Sequence, residues 1–86
     1  MKQTFTVTIS APEGILFTGE AMQLDASNSE GPFSIWADHA RFLTILAPEP
    51  VRIELAQGET KEFNFTNAVL FFKDDSAKIY TQPNMA

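Results

Sequence analysis

Residues 4–9 read Thr4-Phe5-Thr6-Val7-Thr8-Ile9, three apolar side chains at every second position with threonines between them. Successive side chains on an extended chain point to opposite faces, so Phe5, Val7 and Ile9 share one face and the threonines the other. This is the pattern of a half-buried strand, made of β-branched and aromatic residues, and it predicts an antiparallel sheet with one dry and one wet face. The turn-forming group Ala11-Pro12-Glu13-Gly14 ends the strand. A second extended stretch follows through Ile15, Leu16 and Phe17, with a bend or bulge expected at Gly19, and Met22 and Leu24 resume the alternation.

The remainder of the chain repeats the pattern. Ser27-Asn28-Ser29-Glu30-Gly31-Pro32 is dense in turn residues and is predicted to be an exposed loop before a short strand over 33–36. Asp38-His39-Ala40-Arg41 reads as a second connection. Strands are expected over 42–46 and 51–55 on either side of a proline corner at Ala47-Pro48-Glu49-Pro50; in the second, Val51, Ile53 and Leu55 alternate with Arg52 and Glu54. Gln57-Gly58-Glu59 is a hairpin signal, after which Phe63 and Phe65 alternate with Glu62 and Asn64. Val69-Leu70-Phe71-Phe72 is apolar at both parities, so one side of that strand is expected to be covered by something else, such as another subunit. Asp74-Asp75-Ser76 turns the chain into a last strand over 77–81. About eight or nine short strands, with turn signals roughly every eight to twelve residues, predict an all-β sandwich or small barrel.

Composition sets the outer bounds. Eighty-six residues make one domain, 1–86, and 44% apolar content with eight phenylalanines supplies a core. There is no cysteine, so neither a disulfide nor a thiolate metal site staples the fold. A net charge of −5, with six Lys and Arg scattered along the chain, speaks against a phosphate backbone as partner. No apolar run approaches the ~20 residues that cross a bilayer, so any membrane role is expected to be indirect.

The search for chemistry finds little. His39, the only histidine, sits beside Asp38, but neighbours on an extended chain point apart, which makes Asp38 a poor orienter for a general base. Asp74-Asp75-Ser76 lacks the spaced oxygens of a calcium loop, and no phosphate-binding glycine loop or nucleophile elbow occurs. Asn64-Phe65-Thr66 matches a glycosylation acceptor in a predicted strand, where chance explains it better. The residues leave open an unrelated β-sandwich interaction module, inside or outside the cell, or a small β-fold enzyme using His39; nothing in the sequence favours the enzyme.

The stretch Ser29-Glu30-Gly31-Pro32-Phe33-Ser34-Ile35-Trp36-Ala37-Asp38-His39-Ala40-Arg41-Phe42-Leu43-Thr44-Ile45-Leu46 resembles a segment of the epsilon subunits of F-type ATP synthases. The shared skeleton is Gly31, Phe33, Ile35, His39-Ala40 and Leu43-Thr44. Pro12-Glu13-Gly14 and Phe17-Thr18-Gly19-Glu20 before it, and Pro48 and Val51-Arg52-Ile53 after it, fall in the family's order. The chain departs from the family's usual Gly, Pro, Gly or Asn, and Pro at Ser34, Ala37, Asp38 and Arg41, from Gly-Gly at Asn67-Ala68, and from a common Gly at Glu49-Pro50. The resemblance implies a ten-stranded antiparallel β-sandwich, the N-terminal domain of a subunit whose C-terminal helical hairpin has no counterpart in these residues. It implies a non-catalytic, cofactor-free subunit of the central stalk, peripheral at the cytoplasmic face of a bacterial inner membrane, that couples gamma subunit rotation to the membrane c-ring of a proton- or sodium-translocating enzyme. By motif position it assigns His39, Arg41 and Thr44 to the gamma contact, and Glu30, Gly31 and Pro32 to the end facing the ring.

Overall fold

The computed structural model describes residues 3–81. They form eight strands: β1 (Phe5–Ala11), β2 (Gly14–Asn28), β3 (Gly31–Ile35), β4 (Phe42–Leu46), β5 (Val51–Leu55), β6 (Thr60–Phe63), β7 (Ala68–Lys73) and β8 (Ser76–Thr81). The hydrogen-bonded order is β4-β7-β8-β1-β2-β5-β6, with β3 paired to β2. β2 makes a sandwich of this ribbon. Its first half pairs with β1, from Gly14 to Ala21, and its second half carries β3 on one edge and β5 on the other. One layer is therefore β4-β7-β8-β1-β2, the other β3-β2-β5-β6, and the chain bends from one to the other within a single strand.

Two irregularities produce that bend. Register shifts leave Leu16 without an opposite number on β1 and Met22 without one on β5. Each extra residue tightens the local twist and changes which parity faces inward. Before Met22 the inward positions are Phe17, Gly19 and Ala21, opposite Ile9, Val7 and Phe5; after it they are Leu24 and Ala26. The bend expected at Gly19 is thus replaced by bulges on either side of it. Gly19 lies close to its neighbours, for a Cβ there would stand 3.1 Å from Cζ of Phe17 and the ring would have to give by a few tenths of an ångström.

The structure corrects the expected ten-stranded antiparallel sandwich in both particulars. Among the described residues there are eight strands, in part because the two stretches read on either side of Gly19 are one strand of 15 residues. The sheet is mixed, since β1 and β8 run parallel, with Val7 opposite Ala77 and Ile9 opposite Ile79. Hairpin turns force antiparallel pairing only on consecutive strands; β1 and β8 are joined by the rest of the chain, which is free to serve as a long crossover. The predicted loop over 27–32 contracts to a tight turn at Ser29-Glu30, with Ser27 and Asn28 inside β2 and Gly31 and Pro32 inside β3. Gly31 takes φ of +119°, and Pro32 is tolerated because β3 lies at an edge. Phe65 lies beyond the end of β6, its ring stacked on Phe63 at 6.2 Å.

The interior is what the alternation predicts. Phe5, Val7 and Ile9 of β1, Val51, Ile53 and Leu55 of β5, Leu70 and Phe72 of β7 and Ala77 and Ile79 of β8 are all buried. The β7–β8 hairpin closes on Asp74 and Asp75 at φ of +52° and +55°, the conformation of a two-residue turn whose twist matches its strands.

Candidate functional site

The two outer faces of the sandwich differ in chemistry. On β3-β2-β5-β6, Ser34, Asp25, Arg52 and Glu62 stand in register across four strands. The Asp25 carboxylate accepts hydrogen bonds from Ser34 Oγ and, at 2.8 Å, from Gln23 Nε2, while Trp36 Nε1 donates to Gln23 Oε1 at 3.0 Å. Arg52 and Glu62 approach to 3.7 Å. Apart from Trp36, 54% exposed, this face is polar, and the groups named here bond to one another.

The other outer face is graded. Ile15, Ser10, Tyr80, Val69 and Ile45 stand in register across β2, β1, β8, β7 and β4. Ile15 is 67% exposed, Tyr80 50%, Val69 37% and Ile45 74%. In the next row Leu43, 67% exposed, and Phe71 are followed by Lys78, Thr8 and Thr18, and the third row, Lys73, Ser76, Thr6 and Glu20, is polar throughout. Apolar surface therefore gathers at one end of the face and along β4. Leu16, placed outward beside Ile15 by its bulge, enlarges it. A concave area of about 710 Å³ lies there between Pro12, Ile45, Val69 and Tyr80, and another of about 750 Å³ wraps the free edge of β4 between Ser29, Leu43, Thr44 and Pro48. Lone surface hydrophobes are ordinary and contiguous ones are not, so this row is the part of the described surface best suited to docking.

The six residues singled out in the sequence fall into two groups. His39 and Arg41 line a charged recess with Asp38, Lys73, Asp74 and Asp75 at the end of the sheet that carries the β7–β8 turn. His39 is half-buried, its ring 5.7 Å from those of Phe42 and Phe72. Its Nδ1 lies 2.8 Å from the carbonyl of Ala40, which can only accept, so that nitrogen carries a hydrogen and is held by backbone rather than by a carboxylate. Asp38 has φ of +66° and donates its backbone N–H to Asp75 Oδ1 at 2.7 Å. A left-handed backbone accounts for the Gly or Asn usual there in the family that the sequence resembles, and Asp is among the few other residues that tolerate it.

Glu30, Gly31 and Pro32 form the tip of the β2–β3 hairpin, which lies beside the other half of β4. Thr44 faces the inside of the sandwich, half-buried, and its hydroxyl accepts from Asn28 Nδ2 at 3.1 Å. The outward residues of β4 are its neighbours, Leu43 and Ile45. These, with Tyr80 and Ile15, are the surface residues that sequence reasoning passed over. A signal was present in Phe42-Leu43-Thr44-Ile45-Leu46, which is apolar at both parities just as 69–72 is.

Comparison with known proteins gives this geometry a context. Residues 4–84 match the family model described as ATP synthase, Delta/Epsilon chain, beta-sandwich domain. The ATP synthase epsilon chain of Clostridium novyi is 34% identical over 70 residues, 81% of this chain and 53% of that one. The epsilon chain of Persephonella marina is 30% identical over 78 residues, 91% of this chain and 57% of that one. The chain thus spans about half the length of the curated relatives it matches. Among solved structures, a chain in the Euglena gracilis mitochondrial ATP synthase, OSCP/F1/c-ring, superposes with a TM-score of 0.83 at 16% identity, over 91% of this chain and 50% of that one. A chain in the central stalk/c-ring of the Tetrahymena thermophila mitochondrial ATP synthase gives 0.77 at 19% identity, over 95% and 66%. At such identities these two likenesses concern the fold alone.

Proposed function

This chain belongs to the β-sandwich domain family of ATP synthase delta and epsilon chains, and from that membership we propose that it is a non-catalytic subunit of the central stalk, seated between the gamma subunit and the c-ring and turning with them. The observation that carries the reading beyond family membership is the exposed apolar row on β2-β1-β8-β7-β4, a surface suited to a permanent partner.

In this reading the gamma subunit covers that row and the free edge of β4. The segment from His39 to Ile45 leads the contact, with His39 and Arg41 towards its start, Leu43 and Ile45 as apolar anchors and Thr44 as support from behind. The hairpin tip at Glu30, Gly31 and Pro32 meets the ring, which is embedded in a membrane that this chain touches only peripherally. The work done is mechanical. A close-packed two-layer sheet has low compressibility, so displacement applied at one contact appears at the other instead of being absorbed between them. No cofactor and no reaction of its own enter this account, and whether protons or sodium ions cross the membrane is decided in the ring.

Co-purification tests it. The chain is co-expressed with the gamma subunit and c-ring of the same genome, as wild type and with Ile45→Asp, Arg41→Glu or His39→Ala. Stoichiometric recovery of wild type, abolished by Ile45→Asp and weakened by the other two, is the expected outcome. Failure of a folded wild-type chain to associate with gamma overturns the proposal.

A further inference from the structure

We propose that Asn28 is a positioning residue that clasps the β2–β3 hairpin to β4, so that the turn at 29–31 and the strand carrying Leu43 and Ile45 move as one body; its mechanical meaning rests on the stalk reading above. Three bonds converge at this point. Asn28 Oδ1 accepts the backbone N–H of Glu30 at 2.9 Å, which shapes the turn from within. Asn28 Nδ2 donates to Thr44 Oγ1 at 3.1 Å, across from one strand to another that is not its neighbour in the sheet. One residue earlier, the Ser27 carbonyl accepts the N–H of Ala47 at 2.8 Å.

Among the described residues β4 has no ladder with β2 or β3 and pairs with β7 alone. Besides the edge-to-face contact of Phe33 on Phe42, 5.3 Å between ring centroids, those two cross-links are the polar ties of the hairpin to β4, and one of them is made by a side chain whose other end fixes the turn. A primary amide can do both at once because it offers an acceptor and two donors. The inward orientation of Thr44 follows from the same bond: its hydroxyl faces the interior where Asn28 meets it. A threonine so placed connects two surfaces and touches neither partner with its hydroxyl.

Three variants separate the parts. Thr44→Val removes the link to β4 and keeps the turn bond; Asn28→Ala removes both; Asn28→Asp keeps the acceptor for Glu30 and lets the Thr44 hydroxyl donate to the new carboxylate. Amide hydrogen exchange at Ser29, Glu30 and Gly31 is read in the chain, and affinity for the c-ring is read in the gamma-containing complex. Thr44→Val is expected to speed exchange at these amides about five-fold, the factor that corresponds to one ordinary hydrogen bond, and to weaken c-ring binding by a similar factor. Asn28→Ala exceeds both effects and Asn28→Asp returns them toward wild type. Unchanged exchange in Thr44→Val overturns the clasp. Faster exchange with undiminished ring affinity overturns its positioning role. If the wild-type complex binds no ring, the stalk reading is what fails, and the exchange comparison by itself still decides whether the clasp exists.

Discussion

Truncating Ile45 should separate binding from folding. Ile45→Ala deletes three carbons, worth about 0.8 kcal/mol each when fully buried, or about 2.4 kcal/mol. In the free chain Ile45 is 74% exposed, so only about a quarter of that, roughly 0.6 kcal/mol, has been gained on folding. The remaining three quarters, about 1.8 kcal/mol, is gained when the partner covers the row, and its loss weakens association about twenty-fold. Leu43, 67% exposed on the same strand, gives a slightly smaller figure by the same reasoning. The two are close enough to share partner atoms, so the double variant should fall short of the sum. The assay is titration of each variant against purified gamma subunit, with a thermal melt of the same sample. A binding loss of this order with the melting temperature lowered by less than about 6 °C supports the surface as drawn. Wild-type affinity in both Ile45→Ala and Leu43→Ala, within about two-fold, would refute the assignment of the apolar row to the gamma contact.

The core offers the opposite signature. Ile53→Ala, at a fully buried site on β5, should cost about 2–5 kcal/mol and lower the melting temperature by more than about 10 °C. Gly58→Ala puts a side chain at φ of +103° with nothing within 4 Å to clash, so its cost is backbone strain alone, about 1–2 kcal/mol by chemical denaturation. Arg52→Ala breaks a pair whose side chains are 62% and 47% exposed, and urea unfolding should report a change below about 1 kcal/mol that shrinks further in salt.

Strands whose residues alternate cleanly between apolar and polar were legible from the chain. β5 is the clearest: Val51, Ile53 and Leu55 are buried and Arg52 and Glu54 exposed, as their alternation requires. The β1–β8 pair was not legible, because periodicity reports which face a residue takes and says nothing of which strand lies alongside. The continuity of β2 was hidden by Gly19, which lies close to its neighbours within the strand. Thr44 shows how a face can be misjudged. In Phe42-Leu43-Thr44-Ile45-Leu46 the one polar residue is the natural choice for the wet side, yet it points inward, since a partner for its hydroxyl arrives from Asn28, distant in sequence. The recess at His39 was found by motif, and its neighbours Lys73, Asp74 and Asp75 came from a hairpin that only the tertiary structure brings near.

The edges of the sheet bear on where a partner sits. Unpaired strand edges invite association, and proteins ordinarily guard them with charge or proline. β6 carries Lys61 and Glu62, and β3 carries Pro32, so among the described residues these two edges are guarded in the usual way. β4 has neither: its five residues are Phe42, Leu43, Thr44, Ile45 and Leu46, with Arg41 and Pro48 only beyond its ends. The unguarded edge is also the border of the apolar row, and the concave area around it draws on residues from both sides of the strand. An edge left bare next to an apolar surface, while β3 and β6 are guarded, fits the proposed gamma seat, in which a partner covers it. The proposed gamma seat supplies shelter on that side, whereas the face of β3-β2-β5-β6, apart from Trp36, presents polar groups bonded to one another.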